Sequence, residues 1–326
     1  MNEMKTRISL WLTVFLLLCA TLGVSNAIQA GPSAPPIGPF VKYEGNPILL
    51  PQKVGFESKA VFNPTVIKDG KTFYMLYRAE DWRGKGWWNG TSSIGLAYST
   101  DGIHFERYAG NPVIAPEYDY EKPGGCEDPR IVKVGDTYYL TYTGYDGQTA
   151  RLCLATSKDL IHWRKYGPIF PEKRWSKSGA ILSEKINGKY VMYFGDSDIW
   201  IAYSDDLIHW KAEEEPVLRP RIGYFDEKLV ESGPPPIITD EGILLIYNGS
   251  DRQSRYSVGW VLFSKKDPTK VLKRANEPIL KVTEDWEKFG QVYNVVFAEG
   301  LVKYEDTWYL YYGAADTYIA VAMCEK

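Results

Sequence analysis

Five times along the chain an apolar run breaks at a short polar turn and resumes as a second apolar run that ends in a tyrosine motif, after which a third run follows. The tyrosines are Tyr77 in Tyr-Arg-Ala-Glu-Asp, Tyr142 in Tyr-Thr-Gly-Tyr-Asp, Tyr193 in Tyr-Phe-Gly-Asp-Ser-Asp, Tyr247 in Tyr-Asn-Gly-Ser-Asp and Tyr311 in Tyr-Tyr-Gly-Ala-Ala-Asp. The preceding turns, such as Asp69-Gly70, Gly135-Asp136, Asn187-Gly188, Glu241-Gly242 and Glu305-Asp306, are hairpin chemistry, because Asn, Asp and Gly tolerate positive φ. After the third run, a Ser-x-Asp-x-x-His-aromatic turn leads into an outer strand at Ser99 to Phe105, Ser157 to Trp163 and Ser204 to Trp210. All three histidines lie in it. The same placement in three successive units makes them turn residues and keeps them from meeting at one metal.

Small antiparallel sheets recurring at the 51–65-residue spacing of these tyrosines, a propeller blade of roughly 40–50 residues plus its loops, predict an all-β, five-bladed propeller as one domain over residues 31–326. A two-sheet sandwich would not repeat fivefold. The longer stretches Asp81 to Thr91 and Lys265 to Trp286 are expected to be loops on one face.

Ahead of the repeats, Lys5 and Arg7 precede an apolar stretch from Ile8 to Val24 that ends among small residues. Residues 1–30 therefore read as a signal peptide and the enzyme as exported, periplasmic or extracellular; uncleaved membrane anchoring is the weaker reading. The net charge is −3, and no basic run is present to draw the chain to nucleic acid. Cys126, Cys153 and Cys324 are too few and too scattered for a disulfide framework or a zinc cluster.

In a propeller, the inner strands converge on the axis. At the start of each inner run, polar residues stand where core residues are expected: Asn63, Glu127, Asp128, Lys177, Glu231 and Asn294, with Arg78, Asp196 and Asp316 added from the ends of the second runs. Paired carboxylates with amides and bases around them are what glycosidic cleavage needs, one to protonate the leaving oxygen and one to activate water or to attack. No histidine falls at these positions, and Cys126 has no partner base, so Ser/His/Asp and Cys/His catalysis fit less well.

The run Gly125-Cys126-Glu127-Asp128-Pro129-Arg130-Ile131 resembles glycoside hydrolase family 130, the mannoside phosphorylases and β-mannosidases. Further similar stretches are Tyr77-Arg78-Ala79, Ala150-Arg151-Leu152-Cys153-Leu154-Ala155, Gly233-Pro234-Pro235-Pro236-Ile237, Asn294-Val295-Val296-Phe297 and Tyr312-Gly313-Ala314-Ala315-Asp316. The resemblance implies inversion at the anomeric carbon, with Asp128 as proton donor directly or through a sugar hydroxyl. It also implies a manno-oligosaccharide substrate held by Asn63, Arg78, Arg130, Lys177, Asp196, Asn294 and Asp316, and no cofactor or metal.

Two activities follow from it. A phosphorylase binds inorganic phosphate through basic side chains, whereas a hydrolase needs a carboxylate to activate water. Phosphorylase members carry Lys or Arg four residues before the Gly-Pro-Pro stretch and Gly two before it; this chain has Leu229 and Glu231. Where they tend to carry His-Arg, it reads Tyr193-Phe194-Gly195, and only Arg151 remains as a phosphate candidate. The expectation is an exported inverting β-mannosidase with Glu231 as base, and phosphorolysis to mannose 1-phosphate is the alternative. Trp82, Trp87 and Trp88 are candidate stacking rings for the sugar beyond the cleavage point.

Overall fold

The repeating pattern folds as five groups of antiparallel strands in a computed structural model that describes residues 34–82, 90–172 and 175–325. The first group is Ala60–Asp69, Thr72–Glu80, Ser92–Ser99 and Glu106–Arg107; the second is Gly125–Val134, Thr137–Tyr145, Ala150–Ser157 and Trp163–Pro168. A single parallel pairing of Ser92 with Gly125 joins these two. The third, Ala180–Ile181, Tyr190–Phe194, Trp200–Ser204 and Lys211–Ala212, has the shortest inner strand. The fourth is Leu229–Ser232, Ile243–Ser250, Tyr256–Phe263 and Val271–Arg274, with Ile237–Ile238 paired beside it. The fifth takes Val296–Tyr304, Thr307–Ala314 and Tyr318–Glu325 from the chain end, and Val41–Lys42, near the chain start, as its outermost strand. The hairpin turns fall as expected, with Gly70, Gly135 and Asn187 at φ 58°, 59° and 51°.

These strands are covered on both faces, which is why Ile243–Ser250 is buried at every position rather than at alternate ones. Five apolar clusters fill the spaces between groups. Four join successive groups, and one, around Val61, Phe73, Met75, Val302, Tyr311 and Val321, joins the fifth to the first.

Each repeated tyrosine is buried, and each hydroxyl is satisfied: Tyr142 by Glu121 at 2.7 Å, Tyr193 by the Pro268 carbonyl at 2.8 Å, Tyr247 by Asp226 at 2.5 Å, Tyr311 by the Gly102 carbonyl at 2.9 Å, and Tyr77 by the Asn111 amide at 3.3 Å. In four groups a buried acid lies ahead of the inner strand and pairs with a cation on the outermost strand: Glu57 with Arg107, Glu121 with Lys165, Asp226 with Arg274, and Glu287 with Lys42. The sequence reading missed this second repeat because its members are short motifs at variable spacing.

Two expectations change. Lys265 to Trp286 is not simply a loop, since Val271–Arg274 is the fourth group's outer strand. The histidines sit exposed in their turns, each Nδ1 2.7 Å from the turn's Asp. The segments read as a signal peptide and as Trp87-Trp88 lie outside the described residues.

Candidate active site

Three inner strands lose their ladder register where they carry polar residues. The Phe62/Pro64, Glu127/Arg130 and Ala298/Gly300 irregularities place Asn63, Asp128 and Glu299 in bulges. Pro64 and Pro129 have no N–H to give the ladder, and the Asn or Asp before each is a residue type that enters the left-handed region, here at φ 48° and 49°. Ser178, Asn294 and Asp316 share that region at φ 58°, 60° and 50°. Backbone strain of this kind costs roughly 1–3 kcal/mol per residue and concentrates at functional sites. Gly313 of the fifth tyrosine motif is required here, because a Cβ on it would stand 2.3 Å from Asn63 Oδ1.

Of the bulged residues, Asn63 and Asp128 open on a cavity of about 520 Å³, a size suited to a small ligand. Of the residues expected at the centre, Asn63, Arg78, Glu127, Asp128, Lys177, Glu231 and Asp316 line it. Asp128 Oδ1 accepts from Asn63 Nδ2 at 2.8 Å and from Arg78 Nη1 at 3.1 Å, while Arg78 Nη2 donates to Glu127 Oε1 at 2.9 Å. Lys177 Nζ stands between the two proposed catalytic carboxylates, 3.3 Å from Asp128 Oδ2 and 3.4 Å from Glu231 Oε1. Those oxygens are thus no further apart than the sum of the two distances. Ser178 Oγ also donates to Glu231 Oε1.

Charge and burial push these carboxyls apart in proton affinity. Burial works to raise Asp128, but Arg78, Lys177 and the Asn63 amide outweigh it and hold the group below the ordinary carboxylate range. For Glu231, burial wins against Lys177 and is reinforced by Asp196, so its proton affinity rises. Glu127 is raised by burial in the same way, and Asp316 is raised to about 7 by burial against the pull of Arg78. Carboxyls with separated proton affinities in one cavity mark a place for proton-transfer chemistry, and in the free protein the lower affinity lies on Asp128 and the higher on Glu231.

Three expected sugar ligands and the phosphate candidate Arg151 stand elsewhere. Arg130 is 2% exposed, lies off the cavity lining and donates from all three guanidinium nitrogens to protein carbonyls. Arg151 does not line the cavity; its Nη1 is held by Asp146 at 2.6 Å and by the Thr149 carbonyl. Asn294 lies off the lining, where its carbonyl accepts from the Tyr256 N–H while neighbouring Val292 and Val295 face the cavity. Asp196 also stands back, accepting at 2.8 Å from the indole N–H of Trp175, which does line it. Trp82 borders a separate small recess with Lys59 and Gln291.

Trp175, Tyr145, Tyr256, Lys228 and Ser254 complete the wall and were missed in the sequence. Tyr145 ends the second group's Tyr-x-x-Tyr motif and was within reach of pattern reading. Trp175 and Lys228 sit on connections whose course the repeat does not specify.

A family model described as beta-1,4-mannooligosaccharide phosphorylase matches residues 40–326. The chain is 43% identical over 285 residues to a 1,2-beta-oligomannan phosphorylase of Thermoanaerobacter sp. (strain X514), covering 86% of this chain and 95% of that protein. A beta-1,2-mannobiose phosphorylase of the same strain is 42% identical, with coverage of 88% and 97%. One solved structure shares 37% identity and a TM-score of 0.83 over 88% of this chain and 93% of the other. It is described in terms of a GH130 family of mannoside phosphorylases that contains glycoside hydrolases targeting beta-1,2 mannosidic linkages in Candida mannan.

Proposed function

Because this chain belongs to glycoside hydrolase family 130 and acts on mannosides, we propose that it is an inverting β-mannosidase that cleaves β-1,2-linked manno-oligosaccharides by hydrolysis. One observation carries this reading. A buried carboxylate, Glu231, faces the cavity across Lys177 from Asp128, where it can take a proton from water. The lining holds Glu127, Asp128, Glu231 and Asp316 against Arg78, Lys177 and Lys228, and the first two of those cations are already paired with carboxylates. Those two cations would have to leave their carboxylates to hold a phosphate dianion.

In the proposed reaction Asp128 delivers a proton to the glycosidic oxygen, directly or through a sugar hydroxyl, as the bond to the anomeric carbon breaks. Water attacks the opposite face while Glu231 removes its proton, so the mannose leaves with inverted configuration. A sugar entering between Asp128 and Lys177 weakens their ion pair and desolvates the carboxylate, and both changes raise its proton affinity for the donor role. We propose that the five groups stand as the blades of a propeller, which the clusters between successive groups and between fifth and first support.

Phosphorolysis is the second reading. The names of the 42–43% identical relatives favour it, and Lys228 gives it a cation at the wall whose Nζ donates to Ser254 Oγ at 2.6 Å and, among the described residues, pairs with no carboxylate. Export by residues 1–30 remains part of the hydrolytic proposal, and an N-terminus near residue 31 on the secreted protein tests it.

The deciding experiment resolves the products of β-1,2-mannobiose with and without inorganic phosphate. Hydrolysis gives free mannose at one rate in both. Mannose 1-phosphate, formed only with phosphate present, would establish the alternative.

A further inference from the structure

Arg130 lies behind the cavity wall and holds together two segments that each carry a proposed catalytic carboxylate. Its Nη1 donates to the carbonyl of Asp128 at 3.0 Å, Nη2 to the carbonyl of Ser232 at 2.7 Å and Nε to that of Gly233 at 2.9 Å. Ser232 and Gly233 directly follow Glu231. Nη2 also lies 3.0 Å from Oε1 of Glu299, a fully buried residue at the bulge of the fifth group's inner strand. Neither Glu299 oxygen accepts a hydrogen bond among the described residues, and burial raises the proton affinity of this carboxyl against the pull of Arg130, so it stands beside Nη2 as a buried polar neighbour.

Strand pairing cannot do this job at Asp128. The ladder is broken between Glu127 and Arg130, and the residue's positive φ persists only if its surroundings hold it there. A planar guanidinium offers several donors in fixed directions, so one side chain fixes the Asp128 carbonyl relative to two consecutive carbonyls of the other segment.

We propose that Arg130, backed by Glu299, is the positioning residue that sets the separation of Asp128 from Glu231. The inference rests on the reading of those two as acid and base. It gives Arg130 a role in turnover rather than in holding the sugar.

Arg130→Lys keeps the charge and loses the fork. On β-1,2-mannobiose, kcat is expected to fall about 10–100-fold, since a misplacement of about 1 Å costs on that order, while KM stays within about threefold. Lys165→Met, which breaks a buried pair away from the cavity, serves as the comparison: it lowers the unfolding midpoint and leaves kcat unchanged. If Arg130→Lys shows that same pattern, or raises KM at unchanged kcat as a sugar ligand would, the proposal is overturned.

Glu299→Gln replaces the carboxyl beside Nη2 with an amide of the same shape and carries the test where Arg130→Lys does not fold: kcat is expected to fall about 3–10-fold while KM stays within about threefold. A wild-type kcat overturns the proposal. Asp128→Asn and Glu231→Gln, measured alongside, keep the two ideas apart. Wild-type rates in these two variants sink the acid and base assignment, whereas impaired rates there with an unimpaired Arg130→Lys sink only the positioning role.

Discussion

Two sets of carboxylates divide this molecule. The outer set, Glu57, Glu121, Asp226 and Glu287, is buried ahead of inner strands and pairs with cations on outermost strands; the inner set, buried Glu127, Asp128 and Glu231 with half-buried Asp316, faces the cavity. Outer members differ in supply: Glu57, bonded by Arg107 Nε at 2.9 Å, is still raised by burial, whereas Glu121 is well supplied. Glu121 accepts from Lys165, from the Tyr142 hydroxyl and from the backbone N–H groups of Glu117 and Tyr118. Its proton affinity falls below the ordinary range although burial opposes this. Inner members share fewer donors among more oxygens, and three of the four are pushed the other way. Burial alone therefore does not mark a working carboxylate; facing the cavity, as Asp128 and Glu231 do and Glu57 and Glu121 do not, is what separates the sets.

The largest effect is expected from Asp128→Asn and Glu231→Gln, each of which should lower kcat by about 10²–10⁴, the range for a positioned acid or base, without loss of fold. Retained rate in Glu231→Gln would place the base elsewhere in the inner set.

Lys165→Met should leave turnover alone and destabilise the fold by about 3–5 kcal/mol, the usual result of stripping a buried ion of its partner. The sign follows from Glu121. Its lowered proton affinity contributes stability that is present above the unfolded-state value of 4.5 and is lost as pH falls through the folded value. The gap between variant and wild type in denaturant melts should therefore narrow in acid.

Asp316→Asn should behave oppositely. A carboxyl raised to about 7 costs stability as pH climbs from its unfolded-state value of 3.8 toward 7, so the amide should raise the melting temperature by about 2–4 °C at pH 8 and hardly at all at pH 4. A lower melting temperature at pH 8 would erase the contrast between the two sets.

The smallest effect belongs to Trp175→Ala. Loss of a ring held at the cavity wall should raise KM about 3–10-fold, the equivalent of about 0.5–1.5 kcal/mol of stacking, with kcat little changed. An unaltered KM would remove Trp175 from the sugar's path.

Strand order, hairpin turns, the five tyrosines and seven of the sixteen residues lining the cavity could be read along the chain, because each depends on local alternation and on turn chemistry that recurs in phase. Asn63, Arg78, Glu127, Asp128, Lys177, Glu231 and Asp316 were legible for that reason: each holds an equivalent place in its unit. Arg130 was read as a sugar ligand because it shares a motif with Asp128, yet two residues along a strand through a bulge is enough to turn a side chain from the cavity into the wall behind it. Only the tertiary structure could place Trp175 and Lys228 at the rim, put Lys42 opposite Glu287 across most of the chain's length, and bring Lys177 between Asp128 and Glu231. Periodicity assigns a residue to a strand and a phase, whereas the direction of a long side chain and the partner of a buried charge depend on segments that meet only when the groups pack together.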